Sequence, residues 1–572
     1  MSNTDKLSNV EHIKLESNYL RGTIQESLAD ELSGGIADDD TQLTKFHGFY
    51  QQDDRDLRSE RKHSKLEPHY QFMVRMRLPA GTLTPQQWRA CDNIARDHGN
   101  DTLRITTRQT FQFHGVLKHH LKPLMQELDA VDLDAKGGCG DDNRNVQTNT
   151  NPHESALHQT VHDWSKSISE RLLWRSRAYD ELWLDAAPSD QPDHEPLYGP
   201  SYLPRKFKVA IAIPPENDAD VFANDIGLIA IVDDNELLGF NVAVGGGMGM
   251  THGETATYPR LASVIGFATP DQILDTVETL VTIQRDYGDR ENRKHARFKY
   301  TIDDHGLDWV HQQLAERADI TLGEAREYHF DRNGDPLGWR RVEDADGNAR
   351  WHVTLFVENG RIADFDDGRR LKSGFRQLAE IHDGEFRLTC NHNVIVANIP
   401  DDRCADIERV ISDYGMDDGS KLSRLRHSAM SCVAFPTCGL AMAESERYLP
   451  RLIDKIQAVQ EDAGIGDNAI VIRMTGCPNG CARPYNAEIG FVGKAIGKYN
   501  VYLGGAWNGE RLNKLYRENI DEDEILAELT PLITRYASER HDGESFGDFV
   551  IRTGIIAETH AGLDFHAQTE TA

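Results

Sequence analysis

Cysteine, long apolar runs and positive charge are all scarce in this 572-residue sequence. Eight cysteines over that length exclude a disulfide-framed scaffold. No run reaches the roughly 18 consecutive apolar residues that a spanning helix needs, so no membrane partner is expected. The opening MSNTDKLSNVEHIKLES lacks the apolar core of a secretory leader, and a cytoplasmic location is expected. Lys plus Arg number 63 against 93 Asp plus Glu, a net charge of −30. Phosphate backbones would be repelled, so nucleic acid is not expected as a partner. Most of the acidity reads as solvated surface carboxylate, and an anionic ligand must find a local cationic pocket. Three fingerprints are missing as well: G-x-G-x-x-G after a strand, the G-x-x-x-x-G-K-[ST] phosphate loop and C-x-x-C-H. GGGMGM at 245–250 fails the first at its last position. The chain therefore shows no dinucleotide, flavin or covalent-haem signature.

What is present is globular. Apolar residues are 39% and charged residues 27% of the chain, and at roughly 150 residues per domain the length predicts about four units. The chain also contains itself twice. Thr102–His114 (TLRITTRQTFQFH) resembles Glu385–Ala397 (EFRLTCNHNVIVA), each keeping Arg, an aliphatic residue and Thr with strand-like alternation. Upstream lie MVRMRLPAG and HVTLFVENG. Gly239–Gly247 (GFNVAVGGG) resembles Lys498–Ala506 (KYNVYLGGA), Asp225-Ile-Gly-Leu resembles Glu488-Ile-Gly-Phe, and KVAIAIPP resembles AIVIRMTGCP. The matches predict an order A, B, A′, B′ behind an N-terminal arm, with strands alternating with helical patterns in an α+β or α/β chain. Boundaries are placed at 1–64 for the arm, which is expected to be partly extended and to wrap or bind a partner, then 65–150, 151–340, 341–412 and 413–572. Residues 343–350 read as an exposed turn.

Four cysteines form two pairs, Cys432-x5-Cys438 and Cys477-x3-Cys481. Four thiolates suit a cubane iron–sulfur cluster or a tetrahedral ion. A structural zinc favours shorter spacing on both sides than the first pair has, so a cluster is the leading reading, with zinc and buried free thiols behind it. Pro436, Gly439, Gly476, Pro478 and Gly480 bend backbone close to the sulfurs, where N–H groups can tune them.

CVAFPTCGLAMAE followed by TGCPNGCARPYNAEIGFVG resembles the signature of the sirohaem-containing nitrite and sulfite reductases. ESNYLRGTI, HGFYQQDDRD, RLPAGTLT, TTRQTFQFHG, NRNVQTNTNP, YLPRKFKVAI, GFNVAVGGGMG and RKHARFKY agree in order over most of the chain. The likeness is strongest to the haemoprotein component of the assimilatory sulfite-reducing branch. The resemblance implies six-electron reduction of sulfite to sulfide, in sulfate assimilation and cysteine synthesis. It implies one [4Fe–4S] cluster on Cys432, Cys438, Cys477 and Cys481, with Cys481 also the axial ligand of a sirohaem. The implied fold is α+β and internally duplicated: two ferredoxin-like half-domains form a central unit, and two larger α/β lobes flank it with pseudo-two-fold symmetry. Lobe B carries IPPEN where B′ carries GCPNGC, so one functional and one vestigial site are expected.

A sirohaem and sulfite are both anionic, and both need Arg and Lys. In RKFK, Lys206 and Lys208 share one strand face while Phe207 takes the other. Arg104, Arg108, Gln112 and His114 form an alternating polar face. By resemblance, Arg75, Arg144, Lys206 and Lys208 are the substrate-site cations, and Arg104, Arg108, Gln112, His114, Arg205 and Arg297 hold the macrocycle. Family members carry an amide at the position of His392, which is expected here as a surface or satisfied polar side chain. Electrons must come from outside. The resemblance implies an NADPH-oxidising flavoprotein (alpha) subunit in a hetero-oligomer, with ferredoxin as the alternative donor. Rival readings are a nitrite reductase on the same scaffold and a non-catalytic cluster or zinc protein.

Overall fold

The computed structural model describes residues 6–148, 151–189, 191–343 and 348–567. Half of the expected turn at 343–350 (residues 344–347) and two residues of the NRNVQTNTNP segment lie outside them. Four five-stranded sheets organise the chain. The first runs in spatial order Phe49–Asp53, Tyr70–Arg75, Phe111–Val116, Leu103–Ile105 and Arg361–Ile362, all antiparallel. The second runs Gly338–Glu343, Ala349–Leu355, Val394–Pro400, Glu385–Leu388 and Thr82–Leu83, also antiparallel. Each half-domain lends the other its edge strand: Arg361–Ile362 closes the first sheet and Thr82–Leu83 the second. Both lent strands follow a short turn with two left-handed residues, Ala80 (φ 59°) and Gly81 (φ 72°) or Asn359 (φ 52°) and Gly360 (φ 73°).

The matched sequences pair in the same register. Leu103 faces Phe113 as Phe386 faces Val396, and Arg104 faces Gln112 as Arg387 faces Ile395. The two lobes repeat the rule. Gln147–Thr148, Val209–Ala212, Ile226–Asp233, Glu236–Val244 and Ser263–Ala268 form one mixed sheet. Ala429–Ser431, Ile472–Thr475, Ile489–Ala495, Lys498–Leu503 and Lys514–Ile520 form the other. In each, the first three strands are parallel and the rest antiparallel. Ile226 pairs with Val244 as Ile489 pairs with Leu503. Three strands cross the expected boundaries: Phe49–Asp53 of the arm is the edge of the first sheet, Gln147–Thr148 belongs to the lobe sheet, and Gly338–Glu343 of the second half-domain sheet begins before residue 341.

The halves pack through amphipathic helices. Pro85–His98 starts at Thr84, whose hydroxyl accepts from Gln87 N–H at 3.2 Å while Gln87 Oε1 accepts from Thr84 N–H at 3.0 Å, a reciprocal cap. Trp88, Cys91 and Ala95 share its inner face. Trp88 reaches across to Phe386 and Phe375 of the other half, with ring centres at 4.6 and 5.0 Å. The arm is less extended than its composition suggests. Helices Asn9–Glu16, Ile24–Ala29 and Asp40–Leu43 lie on the body, and Lys14 is buried with its Nζ 2.5 Å from Glu11 and 2.7 Å from Leu203 O. Among the described residues, no helix is long and apolar enough to cross a membrane.

Candidate functional site

Two neighbouring parallel strands of the second lobe, Ala429–Ser431 and Ile472–Thr475, deliver the cysteine pairs to one sheet edge. Cys432 N–H donates to Met474 O at 3.1 Å, and Gly476 N–H donates to Cys432 Sγ at 3.3 Å. A Cβ on Gly476 would lie 2.6 Å from Ala443 O, so only glycine allows that approach. Gly480 turns at φ +65° between the second pair. Burial, then the neighbouring Cys481 and Cys477 thiols, pushes Cys432 well above the usual thiol range. Burial and Cys481 raise Cys477 to about 12, and the same causes raise Cys438. Three thiols whose ionisation is opposed by burial and by neighbouring thiols suit a ligand carrying compensating positive charge. Among the described residues, no three His, Cys, Asp or Glu groups converge as a single metal ion requires. The Gly476 N–H aimed at Cys432 Sγ suits an iron–sulfur cluster, whose sulfurs accept such bonds.

The cationic side lies across Cys481. Phe207 packs into the core on Phe298, ring centres 5.1 Å apart, so Lys206 and Lys208 face the opposite way. Burial, then Arg205 and Arg297, lowers Lys206 to about 7. Burial, then Lys206 and Arg108, lowers Lys208 well below the usual lysine range. The Cys481 thiol is near enough to favour the charged form of both. No hydrogen bond or ion pair joins either ammonium to another described residue. Cys481 thus acts electrostatically both on the other three cysteines and on the lysine pair.

Arg75 donates from Nη1 to Gly138 O and to Cys139 Sγ, each at 3.3 Å. The Gln112 amide links Arg75 to His114. Its oxygen accepts from Arg75 Nη2 at 2.5 Å and Nε at 3.1 Å, and its nitrogen donates to His114 Nε2 at 3.1 Å. Burial, then Arg361, holds His114 neutral. Arg144 donates to Gly140 O at 3.0 Å and lies 3.4 Å from the buried Asp142. The loop carrying it is pinned to the lysine strand by Arg144 N–H to Phe207 O and Phe207 N–H to Asp142 O, both 2.9 Å. Arg205 stands 3.9 Å from Asp141. Arg297 contacts Asp225 at 3.1 Å and leaves its Nε buried without a partner.

Arg104 and Arg108 differ from the open cations. Arg104 donates to Glu446 (2.9 Å), Ser431 O (2.9 Å) and Ile105 O. Arg108 donates to Asn145 O (2.9 Å), Asn224 (2.8 Å) and Val209 O (2.8 Å). Their donors are largely engaged within the protein, and both brace the loops around the site.

His392 differs from expectation: it is neither on the surface nor satisfied. It is buried at φ +75° with Nδ1 unpartnered. Burial, then Arg104 and Arg483, keeps it neutral. Its counterpart in the first half is Gln109, also left-handed at φ +54°, whose amide donates to Thr148 O and Leu388 O at 2.8 and 2.9 Å.

Three further contributors lie inside the matched segments HGFYQQDDRD, TGCPNGCARPYNAEIGFVG and RKHARFKY, where nothing local sets them apart from their neighbours. Arg55 of the arm donates to Cys438 O at 3.2 Å and Ala441 O at 2.6 Å, and lies 4.4 Å over the Phe435 ring. Arg483 reaches Thr107 O, Cys390 O and Asp220 from the cysteine turn. Lys299 donates to Gly249 O at 2.7 Å and Gly247 O at 3.2 Å, fastening the glycine run. That run seats against the second cysteine pair, with Met250 N–H donating to Pro478 O at 3.0 Å. GGGMGM, unread as a nucleotide loop, is the contact through which the cysteine-free lobe meets the cysteines.

Comparison with known proteins follows the same division. Residues 163–322 match the family described as "Nitrite and sulphite reductase 4Fe-4S domain". Residues 63–131 and 342–413 each match "Nitrite/Sulfite reductase ferredoxin-like half domain". The first match covers the lobe without cysteines, whose partner by repeat carries all four. The chain is 57% identical over 98% of both chains to a protein of Geobacillus kaustophilus (strain HTA426) named sulfite reductase [NADPH] hemoprotein beta-component. It is 56% identical, with the same coverage, to the protein of that name from Bacillus subtilis (strain 168). In fold it is similar to the solved Mycobacterium tuberculosis NirA protein, with a TM-score of 0.73, 23% identity and 94% of each chain covered.

Proposed function

We propose, because this chain belongs to the nitrite and sulphite reductase family, that it reduces sulfite to sulfide with six electrons at a sirohaem joined to a [4Fe–4S] cluster. When bound, those groups supply the electrons and the iron that takes the sulfur. The observation that carries the reading is the pair of unpaired lysines, Lys206 and Lys208, facing the same Cys481 that closes the four-cysteine set.

Cys432, Cys438 and Cys477 hold the cluster. Cys481, close to the other three thiols and to the lysine pair, would help to hold both the cluster and the sirohaem, which would supply a path for electrons to the substrate site. Arg75, Arg144, Lys206 and Lys208 grip the oxygens of sulfite and offset its charge inside an acidic protein. Breaking S–O bonds consumes protons. Lys206, lowered to about 7, sits where a general acid gives up its proton readily near neutral pH. An anion in the pocket shifts it back towards the charged form, so substrate entry itself charges the donor. Arg205, Arg297, Gln112 and His114 face the macrocycle. Arg104 and Arg108, engaged with backbone, hold the loops around it. The electrons come from an NADPH-oxidising flavoprotein in a hetero-oligomer in the cytoplasm.

The test is the visible spectrum of protein made in a sirohaem-producing host, followed by sulfite and nitrite turnover with dithionite-reduced methyl viologen. A sirohaem spectrum that changes on adding sulfite, with sulfite the better substrate by kcat/KM, supports the assignment. Cluster absorption without macrocycle after sirohaem reconstitution refutes it.

A further inference from the structure

One residue of the N-terminal arm grips the first cysteine loop from 383 positions away. The sheet fixes where that residue starts. Phe49–Asp53 pairs residue for residue with Tyr70–Arg75, and Gly48 O accepts from Arg75 N–H at 2.8 Å. Gly48 approaches so closely that a Cβ on it would stand 2.2 Å from Ala135 O and 2.9 Å from Arg75 O. Asp54 N–H still donates to His69 O at 3.1 Å. Arg55 comes next and turns away to the loop. Its N–H donates to Pro436 O at 3.1 Å. Its guanidinium donates to Cys438 O at 3.2 Å and Ala441 O at 2.6 Å, and lies 4.4 Å over the Phe435 ring.

The loop has little else to hold its tip. Its ends are tied down: Cys432 N–H donates to Met474 O at 3.1 Å, and the Met442 and Ala443 N–H groups to Gly476 O at 2.7 and 3.1 Å. Between them Gly439 is exposed, a Cβ there would meet nothing within 4 Å, and Leu440 is 66% exposed. Burial and Cys481 raise the Cys438 thiol, while the Leu440 and Ala441 N–H groups and Arg55 oppose that rise. By holding Ala441 O, Arg55 sets the direction of the turn whose N–H groups serve that sulfur. Among the described residues no carboxylate pairs with Arg55. Asp53 is taken by Arg58 at 2.5 Å and Asp56 by Arg447 at 2.7 Å.

We infer that Arg55 is a positioning residue for the cluster: from an arm without cluster ligands it fixes the loop of Cys438, aims N–H groups at that sulfur and sets a positive charge beside it. The inference rests on the proposed reading of Cys438 as a cluster ligand. A cluster gains negative charge on reduction, and hydrogen bonds and cations near its sulfurs favour that state. Arg55 therefore eases reduction of the cluster. It also locks the cysteine loop to the sheet that carries Arg75 and Gln112, so the cluster and the substrate cations keep one spacing.

The test compares wild-type holoenzyme with Arg55→Met and Arg55→Lys, all made in a sirohaem-producing host. The measurements are the cluster reduction potential by EPR-monitored titration, iron loss to a chelator, and viologen-driven sulfite kinetics. Arg55→Met is expected to shift the potential to more negative values and to lose iron about tenfold faster, the lower end of what removing an outer-shell partner does. Arg55→Lys keeps the charge but cannot span both carbonyls. It is expected to recover most of the potential while still losing iron faster than wild type. KM for sulfite stays unchanged in both. A wild-type potential in Arg55→Met overturns the inference. Should the variants load no cluster, urea unfolding of the apo-proteins decides: a midpoint equal to that of wild-type apo-protein supports the holding role, and a lower one in both assigns Arg55 to fold stability and overturns it. A wild-type protein without an iron–sulfur cluster overturns the reading of the four cysteines, and the role of Arg55 with it.

Discussion

Asp220 and Arg483 occupy the same place in the two lobes and meet each other, with Asp220 Oδ2 2.5 Å from Arg483 Nε. Each is left-handed, at φ 45° and 56°, and each opens a short turn, Val221–Ala223 or Pro484–Asn486. The local pseudo-two-fold relation therefore passes through an ion pair between a residue and its own repeat. Arg473 joins at 2.6 Å, and Arg483 stands two residues beyond Cys481. Divergence after duplication turned one position into an acid and its copy into a base, at the point where the cysteine turn meets the cysteine-free lobe.

Replacing Asp220 with Asn strands two buried guanidinium groups. Removing one partner of a buried pair costs about 3–5 kcal/mol. The expected outcome is a loss of that size in urea unfolding, measured against wild type at the same pH. Arg483→Lys is expected to lose less, since charge remains, while disturbing the visible spectrum through the Cys481 turn.

Replacing Lys206 or Lys208 with Met is expected to lower sulfite kcat by about 10²-fold or more, the scale of general acid catalysis, with the sirohaem and cluster spectra retained. If Lys208→Met loses sirohaem instead, that side chain holds the cofactor.

The lowered lysines have a signature in stability against pH. Lys206 stands at about 7 in the folded protein against about 10.4 in the unfolded chain. Between those values the unfolded chain binds the extra proton, so burying Lys206 is a penalty that is complete below about 7 and is relieved as pH rises from about 7 towards 10.4. Apo-protein is expected to gain stability relative to Lys206→Met between pH 7 and 9 in denaturant titrations, and saturating sulfite in holoenzyme is expected to shrink that difference.

Serine at Cys432, Cys438 or Cys477 is expected to remove the cluster absorbance together with iron and acid-labile sulfide, measured per chain, without raising bound zinc. A variant that keeps its iron would mean that the serine oxygen or another group completes the set.

Much of this was legible in the sequence because its signals are local. Strand alternation in Thr102–His114 and Glu385–Ala397 shows one pattern twice, and identical patterns in identical turns give identical registers. Spacing separated the cysteine pairs from the four single cysteines, and Lys206 and Lys208 fall on one face because strand period is two. The rest depends on tertiary contacts. Thr82–Leu83 and Arg361–Ile362 are too short to show any period, and their partners lie in the other half. Arg55 sits in a polar arm like any solvated arginine, and only the fold brings it to Cys438. Alternation places Arg104 and Arg108 on one polar face and the resemblance implies a macrocycle role, but neither reports which backbone carbonyls their donors reach. His392 was misread for the same reason: a lone histidine in a turn carries no sign that Arg104 and Gly360 close over it.

The traded edge strands set a rule for dissection. A chain severed between its two repeats would leave each half-domain holding a dipeptide shaped for the other and missing the one shaped for itself. Each fragment would expose an open row of backbone donors and acceptors where the neighbour's residues had lain. Such fragments are built to find each other again, because each carries the edge strand that the other's sheet lacks.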